Sequence, residues 1–248
     1  MKKILGVLAA IAILAAAAFA IWGNQKSSEA NDNGSEVHDA EVKDTAQPTQ
    51  LTTLHDVSNE GEFYDSISWA VENGIMEAND GMFSPEKTAT RTDMVSALYQ
   101  YAKYIGNDVS GGEEINILSY NDATDIAEGK YEAFQWACFV GLIGKESDTS
   151  LRPNEELTRQ DVIKLLYDFA VLIKQDVSIG EDVNILSYND FAEIDEGNFE
   201  AFQWACGAGI IRETDTASQT LNPMEKETRA QIAEIIMQFD NIRTDSAA

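Results

Sequence analysis

Three of the six arginines in this chain occupy one repeated position. Arg91, Arg159 and Arg229 each follow a threonine directly and a proline by six residues. Apolar residues at helical spacing come next, which places each arginine in the first turn of a predicted helix. The helix dipole disfavours a cation there and favours an anion, so the repeated choice of arginine calls for a reason.

Two roles would explain an arginine at such a position. A guanidinium beside free N–H groups of a helix end forms a receptor for carboxylate or phosphate. Alternatively, each arginine pairs with an acidic residue of a neighbouring unit, in a chain with 43 acidic residues. The two roles are compatible, and three equivalent anion sites would bind a repetitive polymer through avidity.

The composition excludes several other functions. A formal charge of -26 argues against nucleic acid as a partner and against adsorption to anionic lipid, since both require clustered basic residues. No nucleophile triad, phosphate loop or metal-ligand spacing is present, and the two histidines, His38 and His55, are not repeated in the later units. We therefore expect no catalysis, no metal and no cofactor.

The N-terminal segment has the pattern of an export signal. Lys2 and Lys3 precede an uncharged run over residues 4–22, and Ala18-Phe19-Ala20 supplies a small-x-small cleavage site. We predict a signal peptide over residues 1–20, with an uncleaved membrane anchor as the alternative. Residues 21–50 are polar and acidic and read as a flexible linker. Both alternatives place the remaining chain outside the cell, at the cell surface.

The rest of the chain is internally repetitive. "INILSYNDATDIAEGKYEAFQWAC", which begins at Ile115, returns at Val183 as "VNILSYNDFAEIDEGNFEAFQWAC", and a weaker first copy begins at His55. A tryptophan lies five residues before a glycine in every copy. Such repetition indicates an assembly of similar small units that share a core.

Each unit is predicted to be a helix, a loop and a second helix. In the middle unit, Tyr131, Phe134 and Cys138 form an apolar stripe, and Thr158 with Asp161 has the spacing of a capping box. The corresponding caps in the other units are Thr90 with Asp93 and Thr228 with Gln231. Because no segment alternates as a strand would, the predicted fold class is all-α.

The tryptophans and cysteines of the first helices point to different environments. At about 100° per residue, Trp136 lies about 170° from the centre of its own apolar stripe. It therefore either packs against a neighbouring unit or lines a groove open to a ligand. Cys138 and Cys206 align with Val71 on the stripe, so we expect buried free thiols rather than a disulfide.

Taken together, these motifs resemble S-layer homology domains. The family's unit contains an aromatic-x-Asp element, a helix with Trp and a following Gly, an x-Pro loop and a Thr-Arg helix start. The aromatic-x-Asp elements here are His55-Asp56-Val57, Tyr120-Asn121-Asp122 and Tyr188-Asn189-Asp190, and the loops end at Pro85, Pro153 and Pro223. On this resemblance we assign three tandem repeats to residues 51–110, 111–178 and 179–248.

The resemblance implies three units in a pseudo-threefold bundle with grooves between adjacent units. It also implies non-covalent binding of secondary cell-wall polysaccharide, whose pyruvate ketals present a carboxylate to the motif arginines. The binding residues implied are Arg91, Arg159, Arg229, Asp56, Asp122, Asp190, Trp69, Trp136 and Trp204. The aspartates would hydrogen-bond sugar hydroxyls, and the tryptophans would help line the grooves.

Two other functions stay open at this point. The units could assemble with other surface proteins, without glycan specificity. If the N-terminal apolar segment is retained, the protein could instead tether the membrane to the wall.

Overall fold

A computed structural model describes residues 54–144, 148–180, 182–211 and 219–245 of the chain. These residues belong to one unit of the structure, Thr49–Ala248. The predicted signal peptide and linker lie outside the described residues.

Six α-helices and several short 3-10 turns form the described part of the chain. The helices are α1 (Tyr64–Glu72), α2 (Arg91–Tyr104), α3 (Tyr131–Phe139), α4 (Arg159–Leu172), α5 (Phe199–Gly207) and α6 (Arg229–Asp245). Across the described ranges only isolated β-bridges accompany them, so the predicted all-α class is confirmed. None of these helices combines the length and the apolar character needed to cross a bilayer.

The second helix of each unit begins where the capping residues predicted. Thr90 and Asp93 exchange hydrogen bonds at the start of α2, and Thr158 and Asp161 do the same at α4. At α6 the carboxamide of Gln231 replaces the carboxylate and accepts the Thr228 N–H at 2.7 Å. Each such cap contributes about 1 kcal/mol to helix stability. The glycines just beyond α1, α3 and α5 all have a left-handed backbone.

Helices of different units pair in a closed order. The second helix of each unit packs against the first helix of another, as α2 with α3, α4 with α5, and α6 with α1. Three backbone hydrogen bonds join the segments before the second helices. They run from Ala89 N to Glu227 O (2.8 Å), from Glu227 N to Leu157 O (3.1 Å) and from Leu157 N to Ala89 O (3.0 Å). This ring ties each arginine-bearing helix start to both other units.

Aromatic side chains at one equivalent position fill the centre of the core. Tyr101, Phe169 and Phe239 lie on the three second helices, and their ring centroids are 5.8 to 6.1 Å apart in every pair. Tyr101 differs from the two phenylalanines by its hydroxyl, which donates to Asp240 at 2.8 Å and accepts from Arg243 at 3.1 Å. Burial raises the pKa of Tyr101, so the phenol stays neutral.

Both cysteines are free thiols, as the sequence predicted. Cys138 and Cys206 lie half-buried against the core. Burial raises the pKa of each thiol to about 11, which keeps both sulfurs protonated at neutral pH.

Candidate functional site

The structure pairs all three motif arginines with carboxylates across unit boundaries. The pairs are Arg91–Glu155 (2.8 Å), Arg159–Glu227 (2.5 Å) and Arg229–Asp93. The arginine side chains are only 11 to 13% exposed; the Glu227 and Asp93 carboxylates are buried with them, whereas Glu155 is 38% exposed. The inter-unit pairing that the sequence suggested is therefore present, whereas anion binding by these arginines stays a prediction.

The backbone N–H groups beside these arginines are also occupied. Arg91 N donates to Glu155 O at 2.8 Å and Thr92 N donates to Pro153 O at 3.0 Å. The equivalent bonds at α4 and α6 are Arg159 to Glu225, Gln160 to Pro223, Arg229 to Lys87 and Ala230 to Pro85. Because neighbouring loops already use these donors, an anion at a groove has to be recognised mainly by side chains.

The three motif aspartates shape the proline loops. Each carboxylate accepts the N–H groups of two consecutive loop residues, at 2.6 to 3.0 Å. The pairs of donors are Phe83 and Ser84 for Asp56, Leu151 and Arg152 for Asp122, and Leu221 and Asn222 for Asp190. The second donor of each pair has a left-handed backbone with φ of 49 to 60°, which a non-glycine residue seldom adopts.

This arrangement also changes the acidity of Asp56. Burial by itself raises the pKa of Asp56, but the N–H groups of Phe83 and Ser84 and the charge of Arg229 outweigh it and lower the pKa. The aspartates thus have a structural role, and their predicted contact with sugar hydroxyls is untested.

The tryptophans pack more deeply than a fully open groove would allow. Trp136 is 3% exposed and its ring centroid is 5.6 Å from Tyr99, which belongs to the preceding unit. Trp204 is 1% exposed and lies 5.7 Å from Tyr167 of the unit before it. Packing against a neighbouring unit, one of the two predicted roles, is confirmed for both. Trp69 is only half-buried and contacts Tyr104 of its own unit.

One arginine site opens into a cavity, which we call the Arg229 groove. It has a volume of about 180 Å³ and lies beside the N-terminal half of α2. Its charged and polar lining comes from all three units and includes Glu77, Lys87, Thr92, Asp93, Ser96, Lys130 and Arg229. The Arg229 guanidinium is fixed there by Asp93, by the carbonyls of Phe83 and Glu77, and by the Phe83 ring 4.8 Å away.

The Arg229 groove differs in charge from the other two arginine sites. The backbone N–H of each motif arginine donates to the carbonyl oxygen of a loop residue in another unit. That loop residue is Lys87 for Arg229, Glu155 for Arg91 and Glu225 for Arg159. Both glutamates also approach the arginine side chain, at 2.8 and 3.9 Å. The Arg229 groove lacks this neutralising carboxylate and has a second cation in its place.

A third cation reinforces the difference. Lys130 directly precedes α3. The residues at the equivalent position before α1 and α5 are Phe63 and Asn198, which carry no charge. Lys130 forms a 2.7 Å ion pair with Glu77 and lines the groove. Three cations against the two carboxylates Glu77 and Asp93 leave a local charge of +1, in a chain whose formal charge is -26.

Small side chains create the space in this groove. The α2 residues Thr92, Ser96 and Ala97 line the groove. The equivalent positions of α4 carry the larger residues Gln160, Lys164 and Leu165. On α4, the Gln160 carboxamide is buried and bonded to the Asp195 N–H and the Asn198 side chain. In the Arg229 groove, by contrast, the buried Ser96 hydroxyl has no hydrogen-bond partner among the described residues.

Lys87, Lys130 and Ser96 were not among the residues predicted from the sequence. The sequence does contain a signal for Lys87. The residue four positions before the motif arginine is a glutamate in the second and third units, Glu155 and Glu225, but a lysine in the first unit. Within the described ranges, no group of three or more His, Cys, Asp or Glu side chains is placed to hold a metal ion.

Comparisons with known proteins relate part of this chain to surface proteins. The sequence model of the S-layer homology domain matches residues 53–95. A surface-layer 125 kDa protein of Lysinibacillus sphaericus is 28% identical over 177 residues, which are 70% of this chain and 13% of that protein. An endoglucanase of Bacillus sp. (strain KSM-635) is 29% identical over 104 residues, which are 42% of this chain and 11% of the enzyme.

The chain thus spans 13% or less of the length of these two relatives. The family match covers the first predicted repeat only, and three tandem copies stay a prediction. These similarities place an S-layer homology domain over residues 53–95 and make this chain similar to S-layer homology domain proteins.

Proposed function

We propose that this protein is a non-enzymatic, extracellular cell-envelope protein that binds an anionic secondary cell-wall polysaccharide through the Arg229 groove. The family match and the surface-layer relative support a location at the cell surface and a wall-binding role. The endoglucanase relative shares 11% of its length with this chain, which is too little to transfer its enzymatic activity.

The observation that carries the proposal is the exchange of a glutamate for Lys87 beside Arg229. Each of the three arginines is already paired with a carboxylate, but at Arg91 and Arg159 the facing loop residue is an acid, Glu155 or Glu225, whereas at Arg229 it is Lys87. In the Arg229 groove a carboxylate joins a local positive charge supplied by Lys87, Lys130 and Arg229. A carboxylate carried on a sugar ring, as in a pyruvate ketal, matches these donors.

In this proposal, the other arginines and the aspartates predicted to bind glycan have mainly structural roles. Arg91 and Arg159 hold the units together and rank as weaker anion sites. Asp56, Asp122 and Asp190 fix the proline loops that border the arginines, and any sugar contact would use the carboxylate lone pairs that the backbone leaves free. Changing all three arginines to alanine would remove inter-unit ion pairs, so it tests stability as much as binding.

The test is equilibrium binding of purified protein to soluble secondary polymer released from cell walls, measured by calorimetry. Chemical reduction of the polymer's carboxyl groups to alcohols should abolish binding, and raising the salt concentration should weaken binding to the native polymer. Equal affinity for native and carboxyl-reduced polymer would refute recognition of the anion. A polymer treated in parallel without the reducing agent is the control.

One observation favours protein–protein assembly as a second function. Leu118 and Leu186 occupy equivalent positions in the second and third units and are 70% and 62% exposed. Large apolar side chains exposed at a repeated position suit contact with another protein. Sedimentation velocity should then show concentration-dependent oligomers that disappear in the Leu118→Asn, Leu186→Asn double variant, while polymer binding is retained.

A further inference from the structure

A larger cavity lies between α4 and α5, at the contact of the second and third units, and we call it the Tyr167 cavity. Its volume is about 540 Å³, which is ample for a single long side chain. The loop over residues 175–180 forms one wall, and the facing surfaces of α4 and α5 form the rest. The cavity shares no lining residue with the Arg229 groove, so the two are separate features.

The loop that forms the wall is held in place by specific contacts. A Cβ on Gly180 would lie 2.3 Å from the Gln203 carbonyl oxygen, so only glycine allows this approach of the loop to α5. The Asp176 carboxylate accepts the Ser178 N–H at 2.9 Å and fixes the turn at the other end of the loop. The position of Asp176 at the cavity is therefore set by the fold.

The lining of the Tyr167 cavity favours a cation. Asp176 and Glu200 contribute carboxylates and Tyr167 contributes an aromatic ring, while none of the described residues that line the cavity is Lys, Arg or His. The neighbouring Lys174 is exposed and does not line it. Carboxylates attract a cation by their charge, and the face of a tyrosine ring attracts it by its quadrupole.

The contact between α2 and α3 repeats this arrangement with a cation in it. Tyr99 and Glu132 are the counterparts of Tyr167 and Glu200, and the Tyr99 hydroxyl donates to Glu132 at 3.4 Å. The Lys103 ammonium lies over the Tyr99 ring, 5.3 Å from its centroid, which is within the range of a cation–π interaction. At this contact the chain itself supplies an ammonium group to the tyrosine and the glutamate.

On α4 the position of this lysine carries an apolar residue. Val171 is the counterpart of Lys103 and is 49% exposed. Tyr99, beneath Lys103, is 8% exposed, whereas Tyr167 is half-buried. The same aromatic and acidic groups therefore meet a lysine of the chain at one contact and border an open cavity at the other.

We propose that the Tyr167 cavity binds a lysine side chain of another protein, whose ammonium takes the place over Tyr167 that Lys103 takes over Tyr99. A formal charge of -26 favours the approach of a basic partner, and the carboxylates of the cavity fix where its lysine is received. This interaction uses none of the residues of the Arg229 groove and does not depend on anion binding there.

The test is a titration of 15N-labelled full-length protein with the capped peptide acetyl-Ala-Lys-Ala-amide at physiological ionic strength. We expect saturable shifts of the backbone amide resonances of Val177 and Ser178, which line the cavity. The same peptide with Nε-acetyl-lysine should cause none, because acetylation removes the charge. The Asp176→Asn, Glu200→Gln double variant should bind about five- to tenfold more weakly, since exposed ion pairs each contribute little.

Moving the lysine within the protein tests the geometry. Val171→Lys supplies the cation from α4 itself and should abolish peptide binding. Leu118→Lys is the matched control, because it adds the same charge at an exposed position of the second unit and should leave the affinity unchanged. Lys103→Val should open a second peptide site, detected at the amides of Val109 and Ser110. Thermal unfolding verifies that each variant is folded.

Three results of the peptide titration would overturn the proposal. These are no saturable shift with the lysine peptide, an equal response to the acetylated peptide, and a response to N-acetylglucosamine alone. Unchanged peptide binding by Val171→Lys would also contradict it, because the position over Tyr167 would then not be the site. A failure of peptide binding with anionic polymer binding intact would leave the proposal for the Arg229 groove standing.

Discussion

Reversing the charge of Lys87 should abolish most polymer binding without weakening the fold. Lys87 is exposed and lines the Arg229 groove, and its backbone carbonyl accepts the Arg229 N–H at 2.9 Å. The second and third units carry Glu155 and Glu225 at this position, so the Lys87→Glu variant takes the arrangement that the fold already tolerates twice. The introduced carboxylate would pair with Arg229 and occupy it.

The magnitude follows from simple electrostatics. Two unit charges about 5 Å apart interact by about 0.8 kcal/mol in water and about 3 kcal/mol at an effective dielectric constant of 20. Because Lys87 is exposed, about 1–1.5 kcal/mol of attraction to a ligand carboxylate is reasonable. Lys87→Glu replaces that attraction with a similar repulsion, so affinity should fall by about 2–3 kcal/mol, which is about 30- to 150-fold. Lys87→Ala removes only the attraction and should cost about half as much free energy.

Calorimetry with soluble secondary polymer at physiological ionic strength measures these affinities, and thermal unfolding monitors the fold. Lys103→Glu is the matched control, because it makes the same change of net charge at an exposed position of α2 that does not line the groove. The reasoning is refuted if Lys87→Glu binds as tightly as the parent protein. It is equally refuted if Lys103→Glu loses as much affinity, since the effect would then come from net charge.

Three further changes test the structural roles assigned here. Asp122→Ala removes the acceptor of two backbone N–H groups and should destabilise the protein by about 2–3 kcal/mol in urea unfolding; an unchanged midpoint would contradict this role. Because the folded state lowers the pKa of Asp56, its contribution to stability is present above about pH 4 and is lost as the pH falls through the lowered value. The stability difference between the parent and Asp56→Asn should therefore shrink on acidification, and a difference that grows would contradict the sign. Tyr101→Phe should cost about 1–2 kcal/mol in the same unfolding assay, because Asp240 loses a buried donor, and no change would indicate that water replaces the hydroxyl.

The fold was largely predictable from the sequence because its signals are local. A capping box depends on two residues that are three positions apart, and the glycine that ends a first helix lies just beyond it. Both signals can therefore be read within a single repeat. The repeat also allowed the burial of Trp136 against another unit to be anticipated as one of two roles. These features need no knowledge of how the units are arranged.

The charge pattern of the grooves was not predictable in the same way. It depends on which loop of another unit meets each arginine, as Glu155 meets Arg91 across 64 positions of sequence. The sequence suggested free N–H groups at the helix starts, whereas neighbouring loops occupy them. The distinction between Lys87 and the two glutamates acquires its meaning only once that pairing is known.

Whether an anionic wall polymer is the ligand can be measured by co-sedimentation of the purified protein with cell walls, before and after chemical removal of their secondary polymer. We expect the protein to pellet with intact walls and to stay soluble with stripped walls, and Lys87→Glu to stay soluble with both. Pelleting that is indifferent to stripping and to Lys87→Glu would contradict an anionic polymer as the ligand and would favour attachment through protein contacts.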